Sequence, residues 1–429
     1  MKTLFIALIA CLLASGSAFA QSKAEKIHAL MNEAHARGIF NGNVLVAEKG
    51  TVVYENAIGF ADGSQKQTLA MDLRFNIGSM AKEFDGVALM MLKEQGKLSL
   101  DDKVSDYFPE LPPWSERVSI RNLIQYTSGL PAPNYPTEPL DDDVWQFLQT
   151  LEQLDFEPGT VYGYNNHNVF LRKRIVEKVS GTSFNEFVEQ YMLAPLAMDS
   201  AAIDLAADAE KFAKAFNNRF IEDDYTPYMS GWVQLTAKDL YRWVEGLHSY
   251  QLISKDSLYE LFTGYNGEQT PLGHSLFDGE ALVYHYHHGS SYNFESSLYH
   301  NPGEQFTVLL LTNNKNFNVG SLTNAIDAIL RGNEYSVPLA SIYMNLRTRI
   351  FYDGYENAMQ WYVDISSNER EIYDFSDELR ELTKTADYLA DEQRGRAAQA
   401  IKLYEYIVQQ FPASATEHAK QQIEVLRHL

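Results

Sequence analysis

The chain is short of cysteine, of positive charge and, after its first twenty residues, of long apolar runs. Its one cysteine is Cys11. If residues 1–20 are removed, no cysteine remains, which excludes disulfides, thiolate chemistry and cysteine-based metal sites. Lysine and arginine number 35 against 57 aspartates and glutamates, for a net charge of −22 and a pI near 4.9. That balance excludes nucleic acid and anionic membrane surfaces as natural partners. No run after residue 20 is long enough to cross a bilayer. Residues 1–20 read as a secretory signal: Lys2 is the charged start, Leu4 to Leu13 the apolar stretch, and Ala18-Phe19-Ala20 a small-x-small cleavage site. Leu8-Ile9-Ala10-Cys11 offers an alternative, a lipoprotein box anchoring the chain at Cys11. The expected compartment is the periplasm or the exterior.

Apolar residues make up 45% of the chain and aromatics 13%, enough for a sizeable core. Ala24, Ile27, Leu30, Met31 and Ala34 recur at helical spacing over 23–38. Val44 to Ala47 and Thr51 to Tyr54 flank the turn Glu48-Lys49-Gly50 as a hairpin, which Ala57 to Ala61 would extend. An apolar helix follows from about Ser79 to Gln95, with Gly96 as its stop. Helices are expected over 143–151, 166–193, 236–249 and 254–262. Ala281 to His288, Phe294 to His300 and Phe306 to Thr312 read as strands, and Ser321 to Leu330 as a closing helix. Strands at both ends with helices between predict an α/β (α+β) fold, in which an antiparallel sheet is flanked by helices. The expected boundaries are a leader over 1–20, a first domain over 21–335 and an all-α domain over 336–429. In the last, Ala358-Met359-Gln360-Trp361-Tyr362 and Ala400-Ile401-Lys402-Leu403-Tyr404 look like two copies of one helix. They suggest a tetratricopeptide-like domain that could take a protein partner, or else a plain helical extension.

The chemistry concentrates at Phe75-Asn76-Ile77-Gly78-Ser79-Met80-Ala81-Lys82, the one place where a lysine follows a serine at the third position. At the start of a helix, Ser79 and Lys82 share a face. A serine hydroxyl becomes a nucleophile when a neighbour takes its proton, and a lysine held partly neutral can do that. A pair of such common residues also arises by chance, so the motif needs companions. His285 and His287 alternate on one strand and could bind zinc, but spacing supplies no third ligand. No metal or other cofactor is expected.

The companions occur in order along Gly42 to Leu330. They are Leu98-Ser99-Leu100-Asp101-Asp102, Ile124 to Pro131, Pro158-Gly159-Thr160-Val161-Tyr162-Gly163-Tyr164-Asn165-Asn166, Leu235 to Leu240, and His287-His288-Gly289. With these stretches the chain resembles the serine β-lactamase and penicillin-binding-protein superfamily, in its class C-like branch with D-alanyl-D-alanine carboxypeptidases and esterases. The resemblance implies Ser79 as nucleophile, Lys82 as its base and Tyr164 as the group passing the proton to the leaving group. It implies that Asn166 orients the substrate and Lys82, and that His287 supplies a cation or donor for a substrate carboxylate. Gly289 would let the strand approach the substrate, and the N–H groups of Ser79 and Ser290 would form an oxyanion hole. The chain departs from the pattern at Tyr126, where histidine is usual, at Asn165, where serine is common, and at His288, where a hydroxyl residue would contact a substrate carboxylate. The last of these departures bears on substrate identity and argues against a dedicated β-lactamase. The implied activity is hydrolysis of a small peptide, amide or ester, with a D-alanyl peptide first and a β-lactam or small ester as further substrates. The alternative is a non-catalytic peptide-binding or scaffolding protein of the same fold. In either case Trp232 and Phe294 are expected in the core or lining the pocket.

Overall fold

Apolar runs from both ends of the first 335 residues meet in one sheet. The computed structural model describes residues 21–132, 135, 139–206, 208–226, 228–391 and 394–428. The expected leader, with Cys11, lies outside the described residues. The strands are β1 (Gly42–Glu48), β2 (Thr51–Ile58), β3 (Phe75–Asn76), β4 (Ala202–Ile203), β5 (Val233–Leu235), β6 (His274–Asp278), β7 (Ala281–Ser291), β8 (Phe294–Asn301) and β9 (Phe306–Thr312). Six of them form an antiparallel sheet in the order β2-β1-β9-β8-β7-β6. The register sets Val44 opposite Leu310, so β1 closes against the end of the region.

β1 is apolar at successive positions because both of its faces are covered. Val44 and Val46 join Val308 and Leu310 in a core with the helices Lys23–Ala36 and Val319–Arg331. Leu45, Ala47, Leu309 and Leu311 face the other way, onto a larger core built around the helix Lys82–Glu94. That helix is buried nearly all round, so it is central and not a surface helix. Its neighbours begin on side-chain caps: Thr236 caps Ala237–His248, Ser254 caps Lys255–Phe262 and Asn165 caps Asn166–Ser180. The fold class is as expected, a mixed α/β arrangement with an antiparallel sheet and flanking helices.

Several elements differ from the sequence expectation. The helix expected over 166–193 ends at Ser180, because Gly181 takes a left-handed conformation (φ 77°) and Ser183 starts a new helix, Phe184–Val188. β2 stops at Ile58, short of Ala61. β6 was not anticipated, nor was the small sheet β3-β5-β4. Beyond residue 336, where only helix was expected, Ala340–Ser341 pairs in parallel with Tyr373–Asp374.

The C-terminal helices are Ile342–Asp353, Tyr355–Asn368, Glu378–Ala390, Ala397–Gln410 and Glu417–His428. They close on their own core, which includes Ile342, Leu346, Tyr362, Leu382, Leu403 and Tyr404. Their contacts with the first region include polar and aromatic ones. Arg219 pairs with Asp353, Asn218 Nδ2 donates to Asn345 Oδ1 at 3.2 Å, and the Phe317 and Tyr343 rings lie 5.9 Å apart.

Candidate active site

The site begins where β3 turns into the central helix. Asn76 Oδ1 accepts the Gly78 N–H at 2.8 Å and tightens the turn. Gly78 has φ 55°, and a Cβ there would stand 2.3 Å from the Ser290 nitrogen. A Cβ on Gly289 would stand 2.0 Å from the Ile77 carbonyl oxygen. Both positions therefore require glycine, and β7 lies hard against the turn that carries Ser79. Ser79 is in a 3-10 turn, Gly78–Ala81, one step ahead of the α-helix that starts at Lys82.

Three of the expected residues meet at one oxygen. Lys82 Nζ donates to Ser79 Oγ at 3.0 Å, and Tyr164 OH donates to the same Oγ at 2.9 Å. Lys82 is only 4% exposed and Ser79 is half-buried. Lys82 Nζ also lies 5.0 Å from the Tyr164 ring and 5.1 Å from the Trp232 ring. Two donors aimed at one hydroxyl oxygen favour charge building up there. Asn166 opens the helix Asn166–Ser180, two residues after Tyr164; it is half-buried, and its side chain makes no hydrogen bond among the described residues. Asn165 is spent on structure: its amide donates to the Leu130 carbonyl at 2.9 Å and its Oδ1 accepts from Asn168.

A second layer of buried charge stands behind. Lys173 Nζ is 4.4 Å from the Trp232 ring and donates to the Ser230 carbonyl at 2.8 Å, so Trp232 lies near two lysines and is more than core filler. Burial pushes Lys173 down to about 8, with Asp85 and Asp204 pulling the other way. Arg172 Nε donates to Asp85 Oδ1, Arg172 Nη1 to the Leu123 carbonyl, and Arg172 Nη2 to Tyr126 OH at 3.1 Å. Burial raises the Asp85 carboxyl and Arg172 draws it back. Tyr126, at φ 54°, sets its ring 4.7 Å from Tyr164, and burial holds its hydroxyl well above the ordinary range. Phe294 packs in the core against Phe75 and Phe212.

His287 is buried on β7, and its Nδ1 lies 2.7 Å from Glu83 Oε1. Trp243 Nε1 donates to Glu83 Oε2 at 2.6 Å. His285 Nε2 is 2.7 Å from the Leu272 carbonyl oxygen and 3.4 Å from Glu83 Oε1, and its Nδ1 is 3.1 Å from His248 Nε2. Burial would raise Glu83, but His285 and His287 outweigh it and hold the carboxyl down at about 2. Burial lowers His287 against the pull of Glu83. His288 alternates away from this cluster and meets Glu295 Oε1 at 2.9 Å, so it is not the substrate-facing residue its place in the motif implied.

The Beta-lactamase family matches residues 24–331, well over half of the chain. The chain belongs to the beta-lactamase family. A penicillin-binding protein of Bacillus subtilis (strain 168) is 28% identical over 286 residues, covering 59% of this chain and 63% of that protein. The chain thus spans slightly less than two thirds of that relative. The crystal structure of a penicillin-binding protein from Bacillus halodurans superposes with a TM-score of 0.62 at 22% identity, over 71% of this chain and 98% of that one. A class C beta-lactamase superposes with a TM-score of 0.61 at 21% identity, over 74% and 99%. Both share the fold. Membership places the protein in the β-lactamase and penicillin-binding-protein superfamily.

Within this beta-lactamase family chain, sequence reasoning passed over Glu83, Trp243, Arg172 and Lys173. One signal for Glu83 was present. It and Asp85 interrupt an otherwise apolar run, and a charge in such a run is either on a solvent face or paired in the interior. Among the described residues no helix is long and apolar enough to cross a membrane.

Proposed function

We propose that the protein is a secreted or periplasmic serine acyl hydrolase that works through a covalent acyl-enzyme on Ser79. The observation that carries this reading is the convergence of Lys82 Nζ and Tyr164 OH on Ser79 Oγ, at 3.0 and 2.9 Å. Lys82, as the base of the pair, takes the Ser79 proton while Oγ attacks the substrate carbonyl carbon. The oxyanion is held by the N–H groups of Ser79 and Ser290, a pairing supported by the close approach of Gly78 to Ser290. Collapse breaks the bond to the leaving nitrogen or oxygen, which takes its proton through Tyr164. Water then attacks the ester on Ser79 and returns the serine. Asn166, with a free amide, orients the substrate, and Gly289 lets β7 run alongside it. No cofactor enters these steps. The favoured substrate is a D-alanyl peptide, with amides and small esters next; relatives named for binding penicillin support an acyl substrate of this kind. The helices beyond residue 336 form a separate domain in this reading, tetratricopeptide-like in type and available to a protein partner.

The test is turnover with trapping. Mature protein is offered a D-alanyl-D-alanine peptide, a small ester and a fluorescent penicillin, and Ser79 is searched for adducts by peptide mass spectrometry. Release of D-alanine with a penicilloyl adduct on Ser79, both absent in Ser79→Ala, is expected. Adduct and turnover missing for all three would contradict the reading and favour a binding protein of the same fold.

A further inference from the structure

The cluster behind His287 contains more than the acyl-transfer reading uses. Its hydrogen positions follow from donor and acceptor inventory. Trp243 Nε1 can only donate, so Glu83 Oε2 accepts. The Leu272 carbonyl can only accept, so His285 Nε2, 2.7 Å away, carries a hydrogen. That N–H also faces Glu83 Oε1 at 3.4 Å. Glu83 is therefore surrounded by donors, as an ionised carboxylate requires, and His287 Nδ1 at 2.7 Å must donate as well. The other ring nitrogen of His287 has no hydrogen-bond partner among the described residues.

We propose that Glu83 is a positioning residue: it fixes His287 as the tautomer protonated on Nδ1, so that Nε2 offers a lone pair to the substrate site. His287 then pairs with an N–H or O–H of the substrate, and does not serve as a cation for a substrate carboxylate. The substrate class narrows accordingly, to acyl compounds whose recognition at this point runs through a donor. A terminal carboxylate is dispensable, so amide-capped peptides and esters enter the range. His285 and His248 extend the scaffold, since His248 Nε2 contacts His285 Nδ1 and the His248 ring lies tilted against His300, with centroids 4.2 Å apart.

The same three side chains, Glu83, His285 and His287, bring ligand atoms within 4.8 Å of one another, and their types suit zinc. The separations favour hydrogen bonds. Two ligands on one tetrahedral zinc stand roughly 3.3 Å apart, whereas His287 Nδ1 and Glu83 Oε1 are 2.7 Å apart and His285 Nε2 is already engaged by Leu272.

The experiment reads the tautomer directly. Long-range proton–nitrogen correlation on histidine-labelled protein assigns which His287 nitrogen is protonated. The wild type is expected to show a protonated Nδ1 and a bare Nε2. Glu83→Gln is expected to reverse this, because its carbonyl turns to Trp243 and its NH2 then donates to Nδ1. Turnover should fall on the order of 100-fold in that variant, less than the roughly 10⁴-fold that the wrong tautomer costs where the histidine is itself the base. Fluorophosphonate labelling of Ser79 should stay within about threefold, since Lys82 is untouched. In the wild type, amide-capped and free-acid peptides should react within about threefold of each other. A protonated Nε2 in the wild type, a tautomer unmoved by Glu83→Gln, or one zinc per chain by elemental analysis would each overturn the proposal. It rests on the acyl-enzyme reading only for its effect on turnover. If Ser79 is never labelled, that reading fails, while the wild-type spectrum still decides the tautomer even where a variant misfolds.

Discussion

Lys82, Glu83, Asp85, Arg172 and Lys173 are each at most 4% exposed, all within the first region of the chain. Between Ile342 and His428 the described buried residues are apolar, apart from Thr348, Thr385 and Thr416. There the charges stay on the surface, as in the Lys402–Glu356 pair with side chains 50% and 75% exposed. The two regions treat charge in opposite ways. Burying ions costs several kcal/mol each, and a well-packed apolar substitute is often as stable or more so. The C-terminal helices follow what stability alone would select. The Ser79 region does not, and the account assigns its extra cost to the site: a lysine beside a serine, a tyrosine beside a lysine, a histidine held by a glutamate.

That contrast can be broken at several points. The largest effect is expected from Arg172→Met. It leaves Asp85 buried without its cation, and Asp85 Oδ2 already lacks a partner. Unfolding by urea should show a loss of roughly 3–5 kcal/mol; a loss below about 1 kcal/mol would mean the pair is not desolvated as described. Leu403→Ala should cost about 2–5 kcal/mol through the cavity it opens in the C-terminal core. Ser79 labelling should be unchanged in that variant, and a parallel collapse of labelling would show that the two regions do not stand apart.

Acid titration sharpens the comparison next. The Glu83 carboxyl would be raised by burial, but His285 and His287 hold it at about 2 against 4.5 for the free side chain. A carboxyl lowered on folding contributes stability above its unfolded value, and that contribution is lost as pH falls through the folded one. Stability should therefore decline by roughly 3 kcal/mol between pH 4.5 and 2, and Glu83→Gln should lack this component. Equal acid slopes in both proteins would contradict it. The smallest effect belongs to Lys402→Ala, expected to leave the thermal melt nearly unchanged because its pair with Glu356 is exposed; a clear loss there would blur the distinction between the regions.

Local signals carried much of this in the sequence. The hairpin β1–β2, the caps Thr236 and Ser254, and the order of the last strands are written in turn residues and periodicity. Ser79, Lys82 and Tyr164 were legible because motif spacing reports local geometry, and Ala358, Tyr362, Ala400 and Tyr404 all lie buried at the repeated positions. What stayed hidden was non-local or weakly patterned. β6 alternates between exposed and half-buried residues at the sheet edge, so it has no apolar run to mark it. β3 and β5 are too short for a period. Glu83 meets His287 across 204 residues, and no local pattern encodes that contact. The break at Gly181 was missed because a single glycine within an otherwise helical pattern reads as tolerated.

The central claim is that Lys82 and Tyr164 activate Ser79. The most direct measurement is the second-order rate of fluorophosphonate labelling of Ser79 in the wild type, Lys82→Ala and Tyr164→Phe, with the adduct mapped by mass spectrometry. The account predicts rapid labelling of the wild type, a fall on the order of 100-fold or more in Lys82→Ala, and a smaller fall in Tyr164→Phe. Equal rates in all three, or an adduct on any other serine, would contradict it.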